Sequence, residues 1–581
     1  MNDGHLRSQV PTKKMAAMRR VKEPIDVLYS LMQRFSEKLT DAKQIFEVIS
    51  NRMGVIDNAQ ELLAFLGQHL KPKELEKKIN GEVFTPPDLI KDMFTALEGA
   101  NPAIWSDPSK KFLDPANGIG NFPGIAFHKL MKGLEHVIPD DASRKKHILE
   151  NQLYMCELNK KNVEVSRKVF DPDNLYSLKL YQGSYLDLDP MKEWGVEKFD
   201  VIFGNPPYNN SHDKKKGQGG SGSRGRLYPK FVEKSIALLK NEGYLIFIHP
   251  AMWRKPGDIL QKPMFENQLH YLRIYTKADG SKILNATTRV DWYVLQKKEP
   301  YTSTTIVFDD LTTGKYTITP NTPFICGHGH SVWEKMYNTI LTGRSVPLPV
   351  VKQAIANSKC TKVPTATNLY PIMQSTSKKK GVQVSWFKSM HPNQYKPKVL
   401  FAEIEVVYPV FDRLGKFGTS DNMQSIMVSS DAEGEYICRY MSSKLFQYII
   451  GGTKWSNFRT DHSMFPYIPY PKDLPKDFTD AQLYAYFGLT LEEIARIEAN
   501  QRGKGLSEYV IKEAPYVSVP PPPASVTEKV AQPTTGPAAL QPDYKKMKVA
   551  DLKQLCKDRK IKGITGKGKD ELIAMLIASN V

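Results

Sequence analysis

Cross-linking residues are scarce in this chain: its 581 residues include five cysteines, Cys156, Cys326, Cys360, Cys438 and Cys556. They are scattered, with no CxxC pair and no histidines at zinc-ligand spacing, so neither a disulfide framework nor a structural metal is expected. No run of about twenty apolar residues is available to span a bilayer. The basic opening residues lead into no apolar stretch with a small-residue cleavage site, so no secretory signal and no membrane partner are expected. An intracellular, cytoplasmic setting follows, or the host-cell interior for a viral source. Negative charge is also in short supply, with 62 acidic against 81 basic residues and a net charge of +19. Such a surplus concentrates polyanions and puts nucleic acid first among partner classes.

Hydrophobic residues make up 41% and charged residues 25% of the chain, a balance that permits ordinary globular cores. The length calls for two large domains with smaller appendages. Between Glu23 and Leu75 apolar residues recur at helical spacing, which predicts a helical preface over 1–78. From 79 to 300 strand-like runs alternate with helical stretches, which predicts an α/β domain with a mostly parallel sheet covered on both faces. Near Pro300 the character changes to longer, mixed segments rich in aromatic and basic residues, and a second, mixed α+β domain is expected over 301–497. A proline- and alanine-rich passage suits an extended linker over 498–542. A short lysine-rich helical pattern fills 543–581.

Within the first domain, the run from Lys111 to Phe122 (KFLDPANGIGNF) begins as a strand and ends in glycines before a helical stretch, so backbone can approach a ligand at the strand's carboxyl end. A second strand ends in Glu157, an acid able to accept hydrogen bonds from both ribose hydroxyls of a nucleoside. The dinucleotide pattern is broken because Pro123 stands where a third glycine would be needed, and no phosphate loop follows the first strand. A cofactor without a pyrophosphate is favoured, and S-adenosylmethionine fits.

The most informative motif is Asn205-Pro206-Pro207-Tyr208, which follows the apolar strand beginning at Phe199. An exocyclic amine on adenine is a poor nucleophile because its lone pair is delocalised into the ring. The side-chain oxygen of Asn205 and the carbonyl of Pro206 provide two acceptors that draw the nitrogen toward tetrahedral geometry. The prolines fix φ, and Tyr208 offers a ring to stack on a base flipped from the duplex. No Pro-Cys nucleophile is present for attack at cytosine carbon 5.

On these residues the chain resembles the N6-adenine DNA methyltransferases of restriction-modification systems, over roughly Gly81 to Ile497. The resemblance implies a Rossmann-like S-adenosylmethionine-dependent methyltransferase sheet, a target-recognition domain over 301–497, double-stranded DNA as substrate and room for a separate cognate restriction endonuclease. It implies cofactor contacts from Thr85 and Pro86, from the loop Asp114, Pro115, Ala116, Gly118 and Gly120, from Glu157, and from Asn205. For the cofactor's adenine amine, the family's acidic residue is replaced by Ser184, with Asp187 as the other candidate. Trp292 and Tyr293 match a strand that walls the flipped base, and equally suit plain strand aromatics in a core. Acceptors with related chemistry remain open: N4 of cytosine, RNA, or a protein glutamine.

The loop following Tyr208, from Asn209 to Arg226, is rich in lysine and glycine and is a candidate clamp on phosphates. In the second domain, Lys378 and Lys379, and then Lys454, Trp455 and Arg459, interleave cationic and aromatic residues as phosphate contacts and stacking do. The C-terminal stretch resembles the SAP domain, a small helical DNA-binding module. There Leu552, Leu555, Leu572 and Leu576 would form the core while Lys562, Lys567 and Lys569 meet phosphates. A module tethered in this way adds affinity without sequence choice. Deleting everything beyond Gln541 is therefore expected to weaken duplex binding at moderate salt and leave the modified sequence unchanged, which a footprint of methylated positions would check.

Overall fold

The computed structural model describes residues 85–209, 225–284, 288–377, 381–403, 408–455, 460–500, 505–507, 510–515 and 517, with 549, 552–553, 556 and 568–578 near the end. The helical preface expected over 1–78 lies outside the described residues. The chain divides into two compact units, 1–519 and 520–581.

A nine-stranded sheet organises the first unit: β1 (Phe112–Asp114), β2 (Leu153–Glu157), β3 (Lys179–Gln182), β4 (Phe199–Gly204), β5 (Leu239–Pro250), β6 (Gln268–Ile274), β7 (Val290–Gln296), β8 (Thr304–Val307) and β9 (Thr313–Tyr316). Their spatial order is 3-2-1-4-5-7-6-8-9. β1 runs parallel to both β2 and β4, β2 to β3, and β4 to β5, whereas β7 enters antiparallel between β5 and β6. The expected α/β architecture is present, and the central strands show why it was legible. Every residue of β2 and β4 is buried, because helices cover both faces, so the strands read as continuous apolar runs. The chain order reverses between β1 and β4, which opens a crevice beyond their carboxyl ends.

Three helices close on that crevice. Helix α1 (Pro87–Ala100) starts on a proline, whose missing N–H costs nothing in a first turn, and buries Leu89, Ile90, Met93, Phe94 and Leu97 along one stripe. The Phe94 ring meets Phe203 of β4 at 5.2 Å and Phe122 of α2 (Asn121–Gly133) at 6.1 Å, both edge-on. This packing holds Thr85 and Pro86, immediately upstream of α1, over the crevice. Helix α3 (Lys160–Phe170) is capped by Asn159, whose side chain accepts from the Lys161 N–H.

The sheet continues past the change of character expected at 300: β8 pairs with β6 and β9 with β8. Beyond it lies a mixed α+β region. A four-stranded sheet joins Val350–Val351, Met423–Met427, Lys398–Ala402 and Val410–Asp412, and a three-stranded sheet joins Gly381–Phe387, Tyr370–Ser377 and Gly418–Thr419. Helices His330–Leu341, Asp431–Ser442 and Lys444–Gly452 bury their apolar faces in the same core.

The linker expected to begin at 498 is packed in its early part. Leu506 is buried, its N–H donates to Asp480 at 2.7 Å, and the backbone of Lys512 and Ala514 pairs with Phe411. Backbone pairing and one buried leucine outweigh the polar composition there. In the second unit, Leu552, Cys556 and Leu572 are fully buried, and Lys569–Ala578 is helical. Lys569 sits half-buried at the start of that helix, while Leu555, Lys562 and Lys567 lie outside the described residues.

One buried ion pair joins the large sheet to the region after it. Arg254 donates through Nε to Asp291 of β7 at 2.6 Å and through Nη1 to the Ile325 carbonyl at 2.9 Å, both side chains being fully buried. Removing one partner strands the other charge. Arg254→Met is expected to destabilise the chain by about 3–5 kcal/mol. Urea unfolding of the full chain measures this, and a loss below about 1 kcal/mol would show that the site repacks or admits water.

Candidate active site

The crevice is shaped first by the end of β1. Asp114 turns the chain by accepting the Ala116 N–H at 2.9 Å. Burial pushes its carboxyl well above the ordinary range, against that hydrogen bond, and the nearby Glu157 charge adds to the effect. Gly118 and Gly120 then take φ of 59° and 98°, conformations that side-chain-bearing residues rarely adopt. Glu157, at the end of β2, accepts the Gly118 N–H at 2.7 Å through one oxygen and the Asn159 N–H at 2.7 Å through the other. The acid therefore also fastens the glycine loop to the neighbouring strand.

β4 ends against the same loop. Gly204 has a φ of 152°, and a Cβ there would lie 2.8 Å from Asp114 Oδ1. The next residue, Asn205, donates through Nδ2 to Thr85 Oγ1 at 3.2 Å, and Asn121 donates through Nδ2 to the Thr85 carbonyl at 3.0 Å. Two asparagines from different elements thus hold one threonine. Tyr208 is half-buried against the core of the sheet. Burial raises its phenol pKa, so the group stays protonated. The Tyr208 carbonyl accepts the Leu227 N–H at 3.0 Å, closing the chain on the far side of the 210–224 segment.

A cavity of about 570 Å³ opens between these ends. Of the residues singled out in the sequence, Thr85, Pro115, Ala116, Gly118, Glu157, Ser184, Asn205 and Pro207 line it. Asp114, Gly120, Pro86, Pro206 and Tyr208 are not among the residues that line it. Of the two candidates after β3, Ser184 is on the wall and Asp187 is exposed to solvent away from it.

Asn117, Asn121, Phe122 and Leu158 also line the cavity, as does Phe231 from the helix Tyr228–Leu238, and none of these was singled out in the sequence. Asn117 and Asn121 stood inside the glycine run as its only amides, a signal available beforehand. The amide oxygens of both are buried without a hydrogen-bond partner among the described residues. Phe231 comes from a distant helix and had no local signal.

Four predicted contacts are core residues instead. Trp292 is buried and stacks on Tyr271 at 4.8 Å, and the fully buried Tyr293 pairs its hydroxyl with His249 at 3.0 Å. Adjacent positions on a strand point to opposite faces, and both faces of β7 are covered. Burial also lowers the His249 pKa to about 4, so its imidazole is neutral. Trp455 packs on Phe324 and donates to the Ile325 carbonyl at 2.8 Å, and the buried Lys454 donates to Thr460. With Lys454 3% exposed and Trp455 2% exposed, neither presents a charge or ring face to a polyanion. Lys378, Lys379 and Arg459 lie outside the described residues.

Residues 132–279 match the family model described as Eco57I restriction-modification methylase. That span holds Glu157, Ser184 and the Asn205–Tyr208 motif, so the resemblance read from those motifs is met there. An uncharacterized adenine-specific methylase of Mycoplasma pneumoniae is 27% identical, over 30% of this chain and 56% of that protein. The chain thus matches little more than half of that relative's length. Among solved structures, the M protein of the type I restriction enzyme EcoKI aligns at 16% identity with a TM-score of 0.29, covering 39% of this chain and 47% of that one. The type IIL restriction-modification enzyme MmeI, solved in complex with DNA, aligns at 12% identity with a TM-score of 0.43, covering 76% and 74%. Alignments this loose transfer no residue roles.

The contact between the two strand ends is open to a direct check. Gly204→Ala places a methyl group against the Asp114 carboxyl in a strained backbone conformation, and is expected to cost about 1–3 kcal/mol. A thermal unfolding midpoint equal to that of the unaltered chain would show that β4 and β1 tolerate more separation than the structure indicates.

Proposed function

We propose that this chain is an adenine-specific DNA methyltransferase of the restriction-modification kind, transferring a methyl group from S-adenosylmethionine to the N6 amine of adenine in a specific duplex site. The observation that carries the reading is the position of Asn205. It ends the fourth strand at the switch point of a doubly wound sheet, on the wall of a cavity that also holds the glycine loop and Glu157. That is where such sheets bind nucleoside ligands.

The donor set suits the cofactor. The wall residues Asn117 and Asn121 carry buried amide oxygens with no hydrogen-bond partner among the described residues, and Glu157 brings a carboxylate. Buried acceptors of this kind are satisfied by a ligand rich in donors, such as one bearing an ammonium group and ribose hydroxyls. Glu157 would hold the ribose, Ser184 the adenine edge, and the Asn117–Asn121 side the amino-acid end. When bound, S-adenosylmethionine supplies an electrophilic methyl group on a sulfonium.

The remaining work falls to the chain. The Asn205 side-chain oxygen and the Pro206 carbonyl accept from the target amine and turn its lone pair toward the cavity. The two prolines keep this backbone rigid, and Tyr208, bordering Asn205, stacks on the base. Because these groups lie at the floor of a crevice, the base must leave the duplex to reach them. The region after 300 is proposed to select the sequence and the C-terminal helical unit to add affinity, with the basic surplus of the chain favouring DNA throughout.

Labelled S-adenosylmethionine offered with duplex DNA, RNA and protein acceptors tests the assignment. Label in N6-methyladenine of the DNA is expected, and label confined to RNA or protein would reject it. Asn205→Ala is expected to lower transfer by at least about a hundredfold, the scale of removing a transition-state acceptor, while cofactor affinity stays close to that of the unaltered chain. Undiminished turnover would remove Asn205 from its role.

A further inference from the structure

An asparagine at the catalytic position poses a problem of direction. Its amide has an acceptor end and a donor end of nearly equal size, and only the oxygen can take a hydrogen bond from the target amine. Reversing the amide would aim an N–H at an N–H. Something buried has to distinguish the two ends.

Thr85 is placed to do so. It is 3% exposed, and its Oγ1 receives the Asn205 Nδ2 at 3.2 Å. Its own backbone is anchored, because the Asn121 Nδ2 donates to its carbonyl at 3.0 Å and α1 begins two residues later. Asn121 is the first residue of α2 and Asn205 follows β4, so the threonine joins a helix start to a strand end across the cavity. The family resemblance assigns Thr85 to the methionine end of the cofactor, whereas the hydrogen bond assigns it to the amide of Asn205.

We propose that Thr85 is a positioning residue which, by accepting the amide nitrogen of Asn205, fixes the Asn205 oxygen toward the target amine. The inference rests on the methyl-transfer reading above and deepens it. It also makes a distinction that a cofactor contact would not. A carboxylate has two equivalent oxygens and needs no orientation, so the value of the Thr85 hydroxyl should depend on whether position 205 carries an amide or a carboxylate.

The experiment uses the full chain, tritiated S-adenosylmethionine and unmethylated genomic duplex DNA, with single-turnover rates and cofactor Kd measured separately. Thr85→Val, close in shape but lacking the hydroxyl, is expected to slow transfer by about tenfold or more while shifting the cofactor Kd by less than about threefold. Thr85→Ser should recover most of the rate. In an Asn205→Asp background, Thr85→Val should cost little further, a coupling that a double-mutant cycle reads directly. The inference is overturned if Thr85→Val keeps the unaltered rate, if Thr85→Ser is as slow as Thr85→Val, or if Kd weakens as much as the rate falls. It is equally overturned if the penalty persists undiminished with the carboxylate at position 205. Should Asn205→Asp prove inactive, the comparison of Thr85→Ser with Thr85→Val decides. Absence of DNA methylation by the unaltered chain would reject the function itself, an outcome distinct from all of these.

Discussion

The site depends on how closely the carboxyl ends of β1 and β4 approach. Asp114 closes one strand and Gly204 the other, and the space between them admits no Cβ. A wider gap would move Asn205 away from Thr85 and from the glycine loop together, since all three are fixed relative to those two residues. The glycine at 204 and the buried acid at 114 are therefore one structural unit. The helix packing around Phe94, Phe122 and Phe203 presses the same strands from one face.

Charge is distributed on two scales. The chain as a whole is strongly basic, which suits long-range attraction to a polyanion. The cavity differs: its wall carries the Glu157 carboxylate and several amides beside Lys160, and burial raises the pKa of Asp114 at the end of β1. Contacts inside the cavity act at short range in low dielectric, whereas the field of the basic surplus is long-range and screened by salt.

The carbonyl of Ile325 is a joint between the sheet and the mixed region, receiving Arg254 from one side and Trp455 from the other. Beside it, Asp309 is paired with Arg289 and with His328, and despite burial these partners bring its pKa down to about 2. The charged groups at this boundary are buried and hydrogen-bonded, which fixes the orientation of the two regions more firmly than an exposed ion pair does.

Local chemistry determined much of this protein without reference to its fold. The glycine run, the acid ending β2 and the Asn-Pro-Pro-Tyr motif are each short local signals, and each sits at a strand end because backbone freedom, rigidity and acceptors are needed there. The alternation of buried strands and helices was legible for the same reason, being a pattern with a short period. Only tertiary structure decided which polar residues meet. Asn121 and Asn205 converge on Thr85 through elements far apart in sequence, and Phe231 reaches the cavity from a later helix. Lys454 and Trp455 looked like surface contacts and are core, and of the two readings open for Trp292 and Tyr293 the core one holds. Composition reports what a side chain can do, whereas burial depends on which faces its neighbours cover, and that is settled by long-range packing.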